Sequence, residues 1–134
     1  MRTLLCTLLL APTLFATSID NMRFAETKSA TIKTIDANEA EMVKLSDEIW
    51  RYAETALKET RSSKALADWA QAEGFRVTRG VGNLPTAFVA EFGSGKPVIG
   101  IMGEYDALPG ISQKAQPVKE ALEAGAPGHG CGHN

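Results

Sequence analysis

The spacing of apolar positions changes period along the chain, and each change marks a different element. From Asn38 onward, Met42, Leu45, Ile49, Tyr52, Ala53 and Ala56 recur at three- and four-residue steps, while Lys44, Asp47, Glu48, Arg51 and Glu54 fall mainly on other faces. That pattern predicts an amphipathic helix laid against a core. Asn38 followed by Glu41 has the form of an N-cap with a reciprocating glutamate, which sets the expected start. Residues 60–63 interrupt the period. Ser62 or Ser63 is then expected to cap a second, antiparallel helix whose Leu66, Trp69 and Ala70 face inward and which stops at a left-handed Gly74.

Beyond Gly74 the period becomes two, and FRVTRG and TAFVAEF read as short strands. PVIGIM, residues 97–102, is apolar throughout, as expected of a strand covered on both faces in an α/β layer. The short GSGK link favours antiparallel pairing of TAFVAEF with PVIGIM. GSGK itself lacks the phosphate-loop pattern, since Ala90 stands five before Gly95 and Pro97 follows Lys96. It reads as a turn. GVGNLP lacks the third glycine of a dinucleotide fingerprint.

Residues 19–37 are polar, mixed in charge and without a clear period, as expected of a tether. Ahead of them, MRTLLCTLLLAPTLFATS joins Arg2 to an apolar run from Leu4 to Ala16 with small residues at Ala16 and Ser18. The run is shorter than the roughly 20 residues that span a bilayer. It reads as a secretory signal over residues 1–18, which implies an exported protein, periplasmic or secreted; a misassigned start would leave the protein cytoplasmic. A buried N-terminal helix or an uncleaved anchor is the other reading. The expected organisation is thus a signal at 1–18, a tether at 19–37 and a domain portion at 38–134.

At 134 residues the chain has room for one domain or part of one. With 44% hydrophobic and 22% charged residues, it has neither a disordered nor a multi-span membrane composition. A formal charge of -2 and the lack of a Lys/Arg cluster argue against a nucleic-acid partner. No membrane association is expected of the mature form. Removal of a signal would take Cys6 and leave Cys131 as the one thiol, so no internal disulfide is expected. An unpaired exported thiol points to a metal or a partner.

Two segments carry candidate chemistry. GEYDALPG follows PVIGIM directly and, when extended, sets Glu104 and Asp106 on one side and Tyr105 on the other. Ligands gather at the carboxyl ends of strands in α/β sheets, and paired carboxylates there can hold a metal or serve as acid and base. A turn from Asp106 to Pro109 with a solvated Glu104 is equally compatible. The second segment is GHGCGHN, residues 128–134, in which His129, Cys131 and His133 would share a face of an extended chain. Glycines at 125, 128, 130 and 132 permit the backbone angles of a tight metal loop. Thiolate and imidazole suit zinc and its neighbours. With no paired C-x-x-C, an open site completed by other residues fits better than a closed one. A glycine-rich loop holding no metal is the alternative.

Taken together, WRYAETALKETRSS, GVGNLPTAFVAEFGSGKPVIGIMGEYDALPG and GAPGHGCGHN resemble the N-terminal part of the metallopeptidase-like amidohydrolases that include aminoacylases, hippurate hydrolases and indole-acetyl-amino-acid hydrolases. EYDALPG and GHGCGHN are most similar to the p-aminobenzoyl-glutamate hydrolase branch of that family. The resemblance covers roughly residues 38–134. It implies an α/β fold: the N-terminal part of a three-layer α/β/α catalytic domain with a mixed sheet, incomplete and inactive at this length. It also implies hydrolysis of the amide bond of N-acyl or N-aroyl amino acids, assisted by two divalent metals, zinc or manganese.

Within the resemblance, Cys131 and His133 match the family's first metal-ligand pair, and Asp106 matches the carboxylate of the D-A-L-P turn that orients the metal site. Glu104 stands where related branches place histidine or aspartate. His129 matches a recurrent histidine that need not be a ligand, and Asn134 stands where many relatives have aspartate. The implied partners are a small acyl or aroyl amino acid substrate and, at full length, a second copy or a different chain. An exopeptidase of the same superfamily, and an exported non-catalytic metal- or partner-binding domain, are the competing readings.

Overall fold

The computed structural model describes residues 11–134, with side-chain surroundings from residue 21 onward. Of the expected signal, residues 1–10 lie outside the described residues and 11–18 begin the first helix. Two units are defined, Met1–Ala40 and Glu41–Asn134. Helix α1 runs over Ala11–Tyr52 and α2 over Thr60–Ala72; strands β1, Arg76–Arg79, and β2, Phe88–Glu91, follow.

Residues 19–37, expected as a tether without regular structure, are helical. After Pro12 the chain holds neither proline nor glycine until Gly74, so nothing interrupts the helix as far as Tyr52. Polar residues within it satisfy themselves locally. The hydroxyls of Thr27, Thr31 and Thr34 donate to the carbonyls of Arg23, Thr27 and Ala30, and Asn38 Nδ2 donates to the Thr34 carbonyl. Asn38 therefore does not cap a helix start. Its side chain bonds back into a helix that is already running. Among the described residues, no helix is long and apolar enough to cross a membrane.

In the second unit, α1 brings Ile49 into a small core with Ala67, Ala70 and Ala107, while Met42 stays exposed. The helix ends at Tyr52, and Ala53 turns the chain with a positive φ of 44°. Ala53 and Ala56 thus leave the helical face expected of them.

The start of α2 is satisfied from an unexpected quarter. Ser62 and Ser63, expected as caps, lie inside the helix and are buried. The Glu54 carboxylate instead accepts the backbone N–H groups of Arg61, at 3.0 Å, and Ser62, at 2.9 Å. It also accepts the Ser62 hydroxyl and the Arg61 guanidinium. A carboxylate here answers both the free N–H groups of the first turn and the positive end of the helix dipole. At the other end the expectation holds. Gly74, with φ of 90°, lets Phe75 N–H reach the Ala70 carbonyl and its own N–H reach that of Gln71, a Schellman closure.

Strands β1 and β2 pair antiparallel, with Arg76 opposite Glu91 and Arg79 opposite Phe88, and α2 packs on both. The expected pairing of TAFVAEF with PVIGIM does not form: TAFVAEF takes FRVTRG as its neighbour. PVIGIM has no strand assigned, and Val98, Ile99, Ile101 and Met102 are 82–96% exposed. A segment apolar on both faces needs a neighbour along each edge and a layer on each side. No described element supplies them.

The Glu54 cap sets a pH dependence. Burial raises the Glu54 pKa, but the hydrogen bonds from Ser62 and Arg61 outweigh it and hold the carboxyl below the usual glutamate range. A depressed folded pKa gives stability that is present above the unfolded pKa and lost as pH falls through the folded one. Glu54→Gln is expected to lower unfolding free energy by about 2 kcal/mol at neutral pH and to flatten the acid limb of stability, both measurable by urea unfolding across pH.

Candidate functional site

Three stretches distant in sequence are joined by backbone pairing. The Glu54 carbonyl accepts Ala107 N–H at 2.7 Å, which lays Thr55 parallel to Ala107. On the next residue, Leu108 and Gly128 exchange two N–H···O bonds of 3.0 Å as an antiparallel pair. Ala107 and Leu108 are thereby held between the end of α1 and the start of GHGCGHN. Gly128 admits no side chain here, because a Cβ would lie 2.7 Å from both the Ile111 carbonyl oxygen and the Ser112 Cα.

Asp106 precedes this junction and His129 follows it. The chain alternates through Glu104, Tyr105 and Asp106. Tyr105 turns to the far side, stacks on Phe88 and donates its hydroxyl to the Thr86 carbonyl. Burial raises the Tyr105 pKa, with a contribution from Glu59 and an opposing one from Ser63. Glu104 and Asp106 face His133: its Nδ1 lies 2.9 Å from Asp106 Oδ1 and its Nε2 3.1 Å from Glu104 Oε2. One ligand atom from each of the three lies within 4.8 Å of the others. Asp106 and His133 are partly buried and Glu104 is more open.

GHGCGHN is a turn and not an extended strand, so its three candidates do not share a face. Gly132, with φ of 87°, folds its N–H back onto the His129 carbonyl at 3.0 Å. Cys131 is exposed on that turn, apart from the cluster. His129 points inward and is buried, and neither ring nitrogen makes a hydrogen bond. Burial lowers its pKa and His133 adds to this, against the pull of the Ile49 carbonyl and Asp106. The alternation of Glu104, Tyr105 and Asp106 follows the sequence pattern. Glu54 does not: its helical period assigns it a solvent face, and its Glu-x₅-Thr-Arg-Ser setting carries no cap signal that spacing rules recognise.

The donor types fit a divalent cation: one ligand atom from each of two carboxylates and an imidazole lies within 4.8 Å of the others, and such oxygen and nitrogen donors suit zinc or manganese. A groove of ≈ 280 Å³ opens beside the junction, bordered by Trp50, Tyr52, Gln113, Leu122 and Gly128.

Over 103 residues the chain is 48% identical to the B subunit of the p-aminobenzoyl-glutamate hydrolase of Escherichia coli (strain K12), a match covering 75% of this chain and 21% of that protein. This similarity supports the branch to which the motifs point. The chain spans about a fifth of the length of that relative. No family model matches the chain, and no solved structure gives a significant match.

The close approach at Gly128 makes a direct prediction. Gly128→Ala forces the backbone of Ile111 and Ser112 to move, so the Leu108–Gly128 pair should open. Amide exchange at Leu108 and Gly128 is expected to accelerate at least tenfold, as for a loss of more than about 1.4 kcal/mol of local protection. Unchanged exchange would show that the junction has room to spare.

Proposed function

We propose that this chain carries part of the active site of a metal-dependent amidohydrolase that cleaves N-acyl or N-aroyl amino acids of the aminobenzoyl-glutamate type. The observation that carries the reading is the convergence of Glu104, Asp106 and His133 across the Leu108–Gly128 junction. The 48% identity to part of a hydrolase named for that substrate supports it. Two divalent cations, zinc or manganese, would supply Lewis acidity and lower the pKa of a water.

The residues of the chain have distinct tasks in this reading. Asp106 accepts His133 Nδ1–H and so fixes the ring and its tautomer, which leaves Nε2 to a cation beside the Glu104 carboxylate. Cys131, exposed on the Gly132 turn, would be a further thiolate donor to such a cation. His129 is buried and stays outside the ligand set. The groove bordered by Trp50 and Gly128 is larger than the roughly 150 Å³ that admits benzene and would take the aroyl group. PVIGIM takes its place as an inner strand of a three-layer α/β/α domain, and the Arg2-led apolar run directs export. Assembly with a different chain or a second copy belongs to the same reading.

Calorimetric titration with zinc or manganese tests it. Wild-type protein is expected to bind, while His133→Ala and Asp106→Ala weaken binding by at least tenfold, about 1.4 kcal/mol or more. Release of p-aminobenzoate from p-aminobenzoyl-glutamate separates the alternatives: metal binding without hydrolysis in any assembly favours a non-catalytic metal-binding domain. Absence of binding in the wild type contradicts the reading.

A further inference from the structure

The position of His133 depends on a contact far from it in sequence. Helix α1 presents Ser46 and Ile49, three residues apart, on one face. The segment 128–134 reaches that face at Ser46. At its start it is pinned by the Leu108–Gly128 pair, and His129 is buried. At its other end, Asn134 Nδ2 donates to Ser46 Oγ at 3.0 Å. Between the two pins runs the Gly132 turn, which an ordinary side chain at φ of 87° would strain. Among the described residues, the Ser46 contact is the one hydrogen bond that holds residues 133 and 134 apart from those made by the His133 ring itself.

We infer that Ser46 is a positioning residue for His133: through Asn134 it holds the end of the GHGCGHN turn on α1, so that the imidazole is presented to Glu104 and Asp106. The inference rests on the metal-site reading of that cluster for its functional meaning and on the hydrogen bond alone for its structural one. Ser46 hydrogen-bonds to neither carboxylate nor ring, so the effect inferred for it passes through Asn134 and the backbone joining it to His133. A hydroxyl is what the position requires. Threonine supplies one on the same helix, and alanine does not.

The test compares Ser46→Ala, Ser46→Thr and wild type by zinc affinity, measured against a chromophoric chelator, and by the ring ¹H–¹⁵N correlations of the metal-free protein. The chain has two histidines, which keeps the ring spectrum simple. Ser46→Ala is expected to weaken zinc binding about fivefold, the worth of one neutral hydrogen bond, and to shift or broaden the His133 ring signals while those of His129 stay in place. Ser46→Thr is expected to behave as wild type. Wild-type zinc affinity and an unmoved His133 spectrum in Ser46→Ala would overturn the inference, as would Ser46→Thr failing in the same manner as alanine. If wild type itself binds no zinc, the metal reading falls, and the His133 signals alone decide whether Ser46 positions the ring.

Discussion

Everything assigned to the site depends on a few backbone hydrogen bonds at Ala107, Leu108 and Gly128. Side chains supply the chemistry, but it is the main-chain pairing that brings the residues before Ala107 to those after Gly128. Such pairing tolerates no displacement by an added atom, as the contact distances around Gly128 show. The consequence is a site whose geometry is set by chain path, with side chains that need only short reaches. Asp106 and Glu104 arrive on one face because an extended chain alternates, and His133 arrives because the turn at Gly132 returns it toward them.

The same economy appears at the end of α1. Residues 46–62 cap one helix, end another and support the site at once: Glu54 uses its carboxylate for α2 and its carbonyl for Ala107. Ser46 and Ile49 lie earlier on α1, where Ser46 Oγ accepts from Asn134. Stability and site geometry are therefore coupled through one short stretch. The core around it is small, built of Ile49, Ala67, Ala70 and Ala107 among the described residues.

Much of this was legible in the sequence where local chemistry decides the outcome. Gly74 stops α2 because only glycine takes that φ without cost, and FRVTRG and TAFVAEF form strands because their alternation matches a half-covered surface. Where outcomes depend on partners, spacing alone did not decide them. Asn38 with Glu41 has cap spacing, yet a helix without breakers runs through it. PVIGIM has the composition of an inner strand, yet a strand exists only when its edges are paired. His129, Cys131 and His133 alternate in sequence, but alternation speaks for an extended chain, and the glycines between them make a turn instead. The pairing of both His133 nitrogens with carboxylates is a tertiary fact that spacing does not encode.

The central claim is that His133, held by Asp106, presents one nitrogen to a cation beside Glu104. X-ray absorption at the zinc edge of the zinc-loaded protein tests it most directly. The account predicts imidazole scattering together with oxygen or nitrogen donors at about 2.0–2.2 Å, with a sulfur shell at about 2.3 Å if Cys131 closes in. The imidazole contribution should vanish in His133→Ala. A zinc shell built without imidazole, or one that His133→Ala leaves unchanged, would contradict it.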